Sequence, residues 1–434
     1  MLHKLITLVL IGSIATVASY AQLHRCNTDE MYEQLFKNTP AIKIDFDKNQ
    51  RRITEASLES MGARNQALEG TIPVVVHVVL DDENQLKITD AIIKEQIDSL
   101  TLSFQGLNAD SNRIPAAFKP SFAKTKLVFK LAATNPNLEP TNGIVRVLSS
   151  KTYNFNTFDD VKNSLLGGSD TWDPTKYYNI WVVSFTDNSL GFGIFPFDPR
   201  PAYLHGVVLN YQVFGINKPY ELPEYNRGRT LVHETGHFLG LFHIWGSTNN
   251  NSCTDTDFPF LTTKDDTPNQ LKATLGNPDP LNNSHIVTDL CTSSPPGIMY
   301  QNYMDYTDDI AMVMFTNGQM DVMENSLLNS SNRSPLLQSN RYLPPTSIID
   351  PNKGYSITPN PFNQSFTIQL AQPTTPLQYI QLISTSGQVV KTISYGNGTT
   401  SPKLTVDLST LSSGIYIVLL NFSDRKATEN IVKQ

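Results

Sequence analysis

The chain has 434 residues, room for about three domains at roughly 150 residues each, which excludes a lone small module. Lys+Arg 33 against Asp+Glu 40 give a net charge of −7 with no basic run, so the footprint of a nucleic-acid binder is missing. Three cysteines exclude a disulfide-built scaffold and a four-cysteine zinc cluster, so a metal must be held mainly by His or carboxylate.

In chain order, Lys4 precedes an uncharged stretch from Leu5 to Ala18, and Ser19-Tyr20-Ala21 offers small residues for a signal peptidase. This predicts a signal peptide over 1–21. The stretch is shorter than the ~20 residues a bilayer span needs, and no later segment is long and apolar enough, so no transmembrane segment is expected after signal removal. Residues 22–52 are polar and charged and read as a removable pro-segment, with Arg51-Arg52 a candidate cut. The segment 53–343 then carries the signature of an α/β domain. Thr71–Leu80 (TIPVVVHVVL) and Tyr178–Phe185 (YNIWVVSF) are strands buried on both faces. Thr89–Leu102 has helical apolar spacing, Lys126–Ala132 reads as a strand, and Phe158–Leu166 is expected to form a second helix. Gly191–Phe197 and Gly206–Tyr211 read as short strands, Leu190–Pro196 being the candidate edge for extended substrate. Asn249–Pro296 is a long polar stretch, and loops of that length are usually functional. A Pro-rich linker over 344–354 leads to 355–434, where short alternating segments between turn signals predict an all-β sandwich.

The chemistry is concentrated in residues 233–243, HETGHFLGLFH. His233 and His237 are one helical turn apart, so both imidazoles leave one face and can chelate one ion. Gly240 can end the helix at positive φ and turn the chain back, which lets His243 meet the same metal. Three neutral His leave zinc its charge and an open position, and Glu234 lies beside it to take a proton from an acidified water. An HExxH triplet arises by chance in roughly one chain per hundred of this length, and the added Gly and third His make chance about a thousandfold rarer. His77 and His205 fall in or beside strands and are read as structural.

The pattern resembles the metzincin metalloproteases, whose further mark is a methionine turn, and Asn302-Tyr303-Met304-Asp305-Tyr306 supplies one. With TIPVVVHVVL, YNIWVV, GRTLVHETGHFLGLFHIWG, DDTPNQ and NYMDYTDD in order, residues 23–325 are most similar to the pappalysin family. The resemblance implies a twisted mixed sheet with helices, zinc on His233, His237 and His243, Glu234 as general base and acid, Met304 as the turn methionine, and Tyr306 as a hydroxyl steadying the tetrahedral intermediate. It also implies a Cys253–Cys291 disulfide across the polar loop. Family members commonly carry a second bridge just past the methionine turn, where this chain has Ala311. Cys26, in Arg25-Cys26-Asn27-Thr28, sits in a setting like the family's cysteine switch, which implies a zymogen whose thiolate fills zinc's open position in the latent form only. Asn27 stands where the family has Gly.

Calcium in the long loop is a further implication. Asp265-Asp266-Thr267-Pro268 keeps half of the family's motif and Asp257 is a candidate substitute ligand, while Leu261-Thr262 replace Gly-Asp. Family members that prefer Arg or Lys after the scissile bond place an acid where this chain has Ile310, so an apolar or mixed pocket is expected as readily as a basic preference. The last 80 residues resemble the C-terminal sorting domains of the type IX secretion system, through SITPNPFN, SGQVV and SGIYIV. The expectation is a secreted or surface-attached zinc metalloendopeptidase acting on proteins or peptides, with the secretion machinery as partner. The competing expectation is a surface adhesin with a structural zinc, which requires four protein ligands and no cleavage.

Overall fold

The computed structural model describes residues 25–60, 68–246, 253, 266–279, 285–345, 354–370, 375–384 and 387–433. The predicted signal peptide, Asp257, Asp265 and most of the predicted linker lie outside them. The predicted pro-segment and the residues just beyond it form two helices, α1 (Thr28–Asn38) and α2 (Pro40–Ser60), the second opening at a proline whose missing N–H suits a helix start. Helix α2 runs through the predicted 52/53 boundary, with Arg51 and Arg52 exposed within it. Proteolytic nicking favours exposed loops, so a helical Arg51-Arg52 is a poor place for the cut.

The next unit is built on β1 (Glu69–Leu80), whose nine residues from Ile72 are all buried. Apolar and β-branched side chains on both faces suit a central parallel strand. It pairs in parallel with β2 (Lys126–Leu131), β3 (Ile144–Leu148) and β4 (Tyr178–Val183). Beyond β4 lie parallel β6 (Val207–Asn210) and antiparallel β5 (Gly191–Gly193), which forms the edge. Helix α3 (Asp82–Lys87) follows β1, and α4 (Asp90–Phe104) is N-capped by Thr89, whose hydroxyl accepts from the Ile92 amide. The α4 residues Ile93, Ile97, Leu100 and Phe104 pack into the core beside the sheet. The helix expected over Phe158–Leu166 is instead two 3₁₀ turns, Phe158–Lys162 and Ser164–Leu166. Asn163 breaks it: its side chain accepts from the Leu165 amide, a local bond that competes with helix.

Helix α5 (Arg229–Phe238) is buried along its whole length. Its first amide, Arg229 N–H, donates to Asp309 at 3.0 Å, so a carboxylate satisfies and complements the positive helix end. At the other end the Phe238 carbonyl accepts from Arg333, which also binds Ile194 O at 2.7 Å and lies over the Phe238 ring. Helix α6 (Asn317–Asn329) begins with a capping box of Thr316 and Gln319, and α7 (Ser334–Gln338) follows. Last come β7 (Tyr355–Thr358), β8 (Ser365–Leu370), β9 (Leu377–Ser384), β10 (Val389–Thr399), β11 (Lys403–Asp407), β12 (Gly414–Phe422) and β13 (Lys426–Lys433). They form two antiparallel sheets, β10-β9-β12-β13 and β11-β8-β7, around a core that includes Phe366, Ile368, Leu382 and Val418. This is the expected sandwich.

His77 in β1 and His205 just before β6 are both buried, and His205 meets Arg333 at 3.0 Å. His77 stacks on Trp181 at 5.1 Å and meets Ser169 and Asn179. Burial pulls its pKa down to about 4. An unfolded imidazole takes its proton near 6.5 and the folded one only near 4, so this group costs stability as pH falls through that window. Urea unfolding between pH 7 and 4 is expected to show that loss, and His77→Gln to flatten part of it.

Candidate active site

Helix α5 carries His233 and His237 on one face, and Gly240, at φ 104°, turns the chain after it. A Cβ at Gly240 would also stand 2.7 Å from Ser326 Oγ, so space and backbone both ask for glycine. The turn brings back His243, and the three Nε2 atoms lie 3.1–3.2 Å apart. Each Nδ1 has its own partner at 2.7 Å: Tyr303 O for His233, Leu241 O for His237 and Asp29 Oδ2 for His243. Carbonyl oxygens only accept, so Nδ1 of His233 and His237 carries the proton and Nε2 presents a lone pair. Lone pairs facing one another at this distance repel unless a cation lies between them. A tetrahedral zinc with ~2.05 Å bonds would space its ligands about 3.3 Å apart, so the donor set fits that ion. Cys26 Sγ joins the group, all four donor atoms lying within 4.8 Å of one another.

Burial lowers the imidazole of His233 well below its usual range and that of His237 to about 3. The rings stay neutral. Burial raises Glu234 to about 8. Its Oε2 is 3.5 Å from Cys26 Sγ and 3.4 Å from Thr28 Oγ1, while Oε1 meets no hydrogen-bond partner among the described residues. Burial alone would raise Asp29, and the imidazoles of His243 and His237 outweigh it, holding that carboxyl below its usual range.

The methionine turn lies under this cluster. The Met304 amide is held by Asn302 Oδ1 at 2.9 Å, and a Cβ on Gly236 would stand 2.5 Å from the Met304 sulfur. Two residues on, the Tyr306 hydroxyl donates to the Cys26 carbonyl at 3.0 Å. Trp245 stacks on His243 at 4.5 Å and closes the far side.

The pro-segment lies along edge strand β5. Asn27 N–H donates to Gly191 O at 3.0 Å, and the Gly193 amide donates to Thr28 Oγ1 at 3.0 Å. Asn27 sits at φ −107°, so the missing glycine costs no backbone strain, and its amide side chain reaches Ser189. The Arg25 guanidinium is 2.7 Å from Asp309 with both side chains buried, and it also donates to Thr307 O. Ile310 faces a different duty: its carbonyl accepts from Arg113.

Sequence reasoning missed the partnerships of Arg25 with Asp309, Asp29 with His243 and Tyr32 with Asp198. The signal was available in part, since charged residues flank Cys26 on both sides. Cys253 and Cys291 form the disulfide. Of the candidate calcium ligands, Thr267 is buried and Asp266 accepts from the Gly318 amide at the start of α6, while Asp257 and Asp265 lie outside the described residues.

Comparison with known proteins agrees with this geometry. Residues 161–328 match the pregnancy-associated plasma protein-A peptidase family, and 356–434 match the secretion system C-terminal sorting domain. Mature mirolysin of Tannerella forsythia, solved with a cleaved peptide, is 39% identical with a TM-score of 0.57, covering 63% of this chain and 97% of that one. A promirolysin mutant from the same organism is 36% identical with a TM-score of 0.63, covering 72% and 97%. The chain belongs to the pappalysin family of metalloproteases. An extracellular metalloprotease of Arthroderma otae is 42% identical over 99 residues, 23% of this chain and 31% of that protein, so the match spans about a third of that relative. Another, from Arthroderma benhamiae, is 26% identical over 288 residues, 65% of this chain and 81% of the relative. With its sorting tail, this pappalysin is an exported protein of the cell surface or medium.

The Gly236–Met304 contact is testable. Gly236→Ala is expected to cost about 1–3 kcal/mol by overpacking, read as a lowered thermal midpoint, and Met304→Ala in the same chain should restore part of it.

Proposed function

We propose that the protein is a zinc-dependent endopeptidase, made as a zymogen, that hydrolyses peptide bonds of extracellular proteins. The observation that carries this is the convergence of three imidazole nitrogens beside Glu234 in a cleft filled by the protein's own leader. His233, His237 and His243 would hold the ion, with Cys26 as a fourth ligand while the leader stays in place. Bound there, zinc supplies a Lewis acid that polarises a carbonyl and acidifies a water. Glu234, buried and with Oε1 meeting no hydrogen-bond partner among the described residues, is placed to hold the proton of an attacking water and return it to the leaving amine. Tyr306 already donates to a backbone carbonyl in the cleft, that of Cys26, and would donate to the scissile carbonyl in its place. The adhesin alternative needs a permanent fourth ligand, and the fourth donor here comes from the pro-segment. Calcium stays a proposal on Asp257, Asp265, Asp266 and Thr267, of which Asp266 is already engaged by α6.

The same reading revises the expected cleavage preference. Arg25 enters a buried pocket of Asp309, Thr307 O and the Tyr225 ring, so we assign Asp309, not position 310, as the acid that selects Arg or Lys after the scissile bond.

Glu234→Gln is expected to abolish cleavage by leader-free protein while its zinc content, read by elemental analysis, is unchanged. Loss of the metal as well would move Glu234 from proton transfer to site building. Asp309→Asn, which keeps an acceptor for the start of α5, should reduce the preference for Arg over an isosteric neutral residue by about a hundredfold in kcat/KM.

A further inference from the structure

The leader fills a second depression beyond Cys26. Tyr32 of α1 lies against Phe195 at 5.1 Å and Phe46 of α2, and Phe46 meets Phe197 edge-on at 4.6 Å. Phe195 and Phe197 stack on one another at 5.0 Å, and Phe242 completes the wall. These three belong to the segment after β5 and the turn after α5, outside the leader. The end of the cradle is polar: the Tyr32 hydroxyl donates to Asp198 Oδ2 at 2.6 Å and accepts from the Phe195 amide at 3.1 Å. Asp198 does not depend on the leader for its position. Arg200 Nε and Nη2 hold its carboxylate at 2.8–3.2 Å, and its backbone carbonyl accepts from Asn332. An acceptor is therefore fixed at the bottom of an aromatic slot, with a donor amide beside it.

We propose that this slot is a substrate subsite for a tyrosine side chain upstream of the scissile bond. The inference rests on the peptidase reading above. The leader passes the metal ligands at Cys26, with Arg25 in the Asp309 pocket on one side and Tyr32 on the other. If Asp309 receives the residue after the cut, Phe195, Phe197, Phe242 and Asp198 receive one before it. Phe195 lies edge-on to His237 at 5.4 Å, and Tyr32 one ring further. At roughly 3.3 Å of extended chain per residue, that distance points to the second to fourth residue upstream. Aromatic rings on the wall favour any aromatic side chain, and the Asp198 carboxylate separates tyrosine from phenylalanine, because a charge-assisted bond is lost in the latter.

The test is cleavage-site mapping on a peptide library with leader-free protein, alongside binding of the same peptides to its Glu234→Ala variant. Expected are cuts with tyrosine enriched at one upstream position, about tenfold over phenylalanine in kcat/KM, and about tenfold tighter binding of tyrosine peptides than alanine ones. Phe197→Ala should erase the aromatic enrichment while leaving the residue preferred after the cut unchanged. Cleavage with no upstream aromatic preference overturns the subsite and leaves the peptidase standing. Selective binding of tyrosine peptides without any cleavage upholds the slot and overturns the peptidase. Equal rates for tyrosine and phenylalanine would remove Asp198 from the assignment.

Discussion

Three imidazole nitrogens held within 3.2 Å of one another are an electrostatic debt that the surrounding fold must sustain. The lone pairs of His233 and His237 repel at that distance, so the orientation of the rings has to be imposed from outside the cluster. Two carbonyls and a carboxylate do so by gripping each Nδ1. Those grips in turn explain features spread from Asp29 to Tyr303. Gly240 exists so that Leu241 O can face His237, and the methionine turn holds Tyr303 O against His233. Asp29 reaches His243 only because the leader lies in the cleft.

Much of this was legible in the sequence, for reasons that differ by residue. The ligand triplet is local: helical periodicity and one glycine place His233, His237 and His243 together, and no distant contact has to be known. Strands β1 and β4 announced themselves because buried parallel strands leave continuous apolar runs. The 3₁₀ turns near Asn163 did not, since the apolar spacing there is helical and a single side-chain bond decides otherwise. Arg25, Asp309 and Tyr32 were illegible in role. Their partners lie 166 to 284 positions away, and nothing in a charge or an aromatic ring names its counterpart.

Asp309 shows how one acid serves two levels of the structure. One oxygen completes the start of α5, the helix that presents the metal ligands, while the other receives the guanidinium of Arg25. Pocket chemistry and helix placement are thereby tied to the same side chain. The position that the family resemblance singles out, Ile310, contributes its backbone instead.

The leader runs beside β5 in the same sense as the strand, residue 27 against 191 and residue 28 against 193. Among the described residues it makes one main-chain bond there and fills the rest with a threonine hydroxyl, an arginine, a thiol, an aspartate and a tyrosine. A ladder of backbone bonds would accept almost any sequence, whereas this plug is spelled in side chains. Its grip is therefore written into the cleft as well: remove Arg25 or Asp29 and the Asp309 carboxylate or the Nδ1 of His243 loses a partner along with the leader.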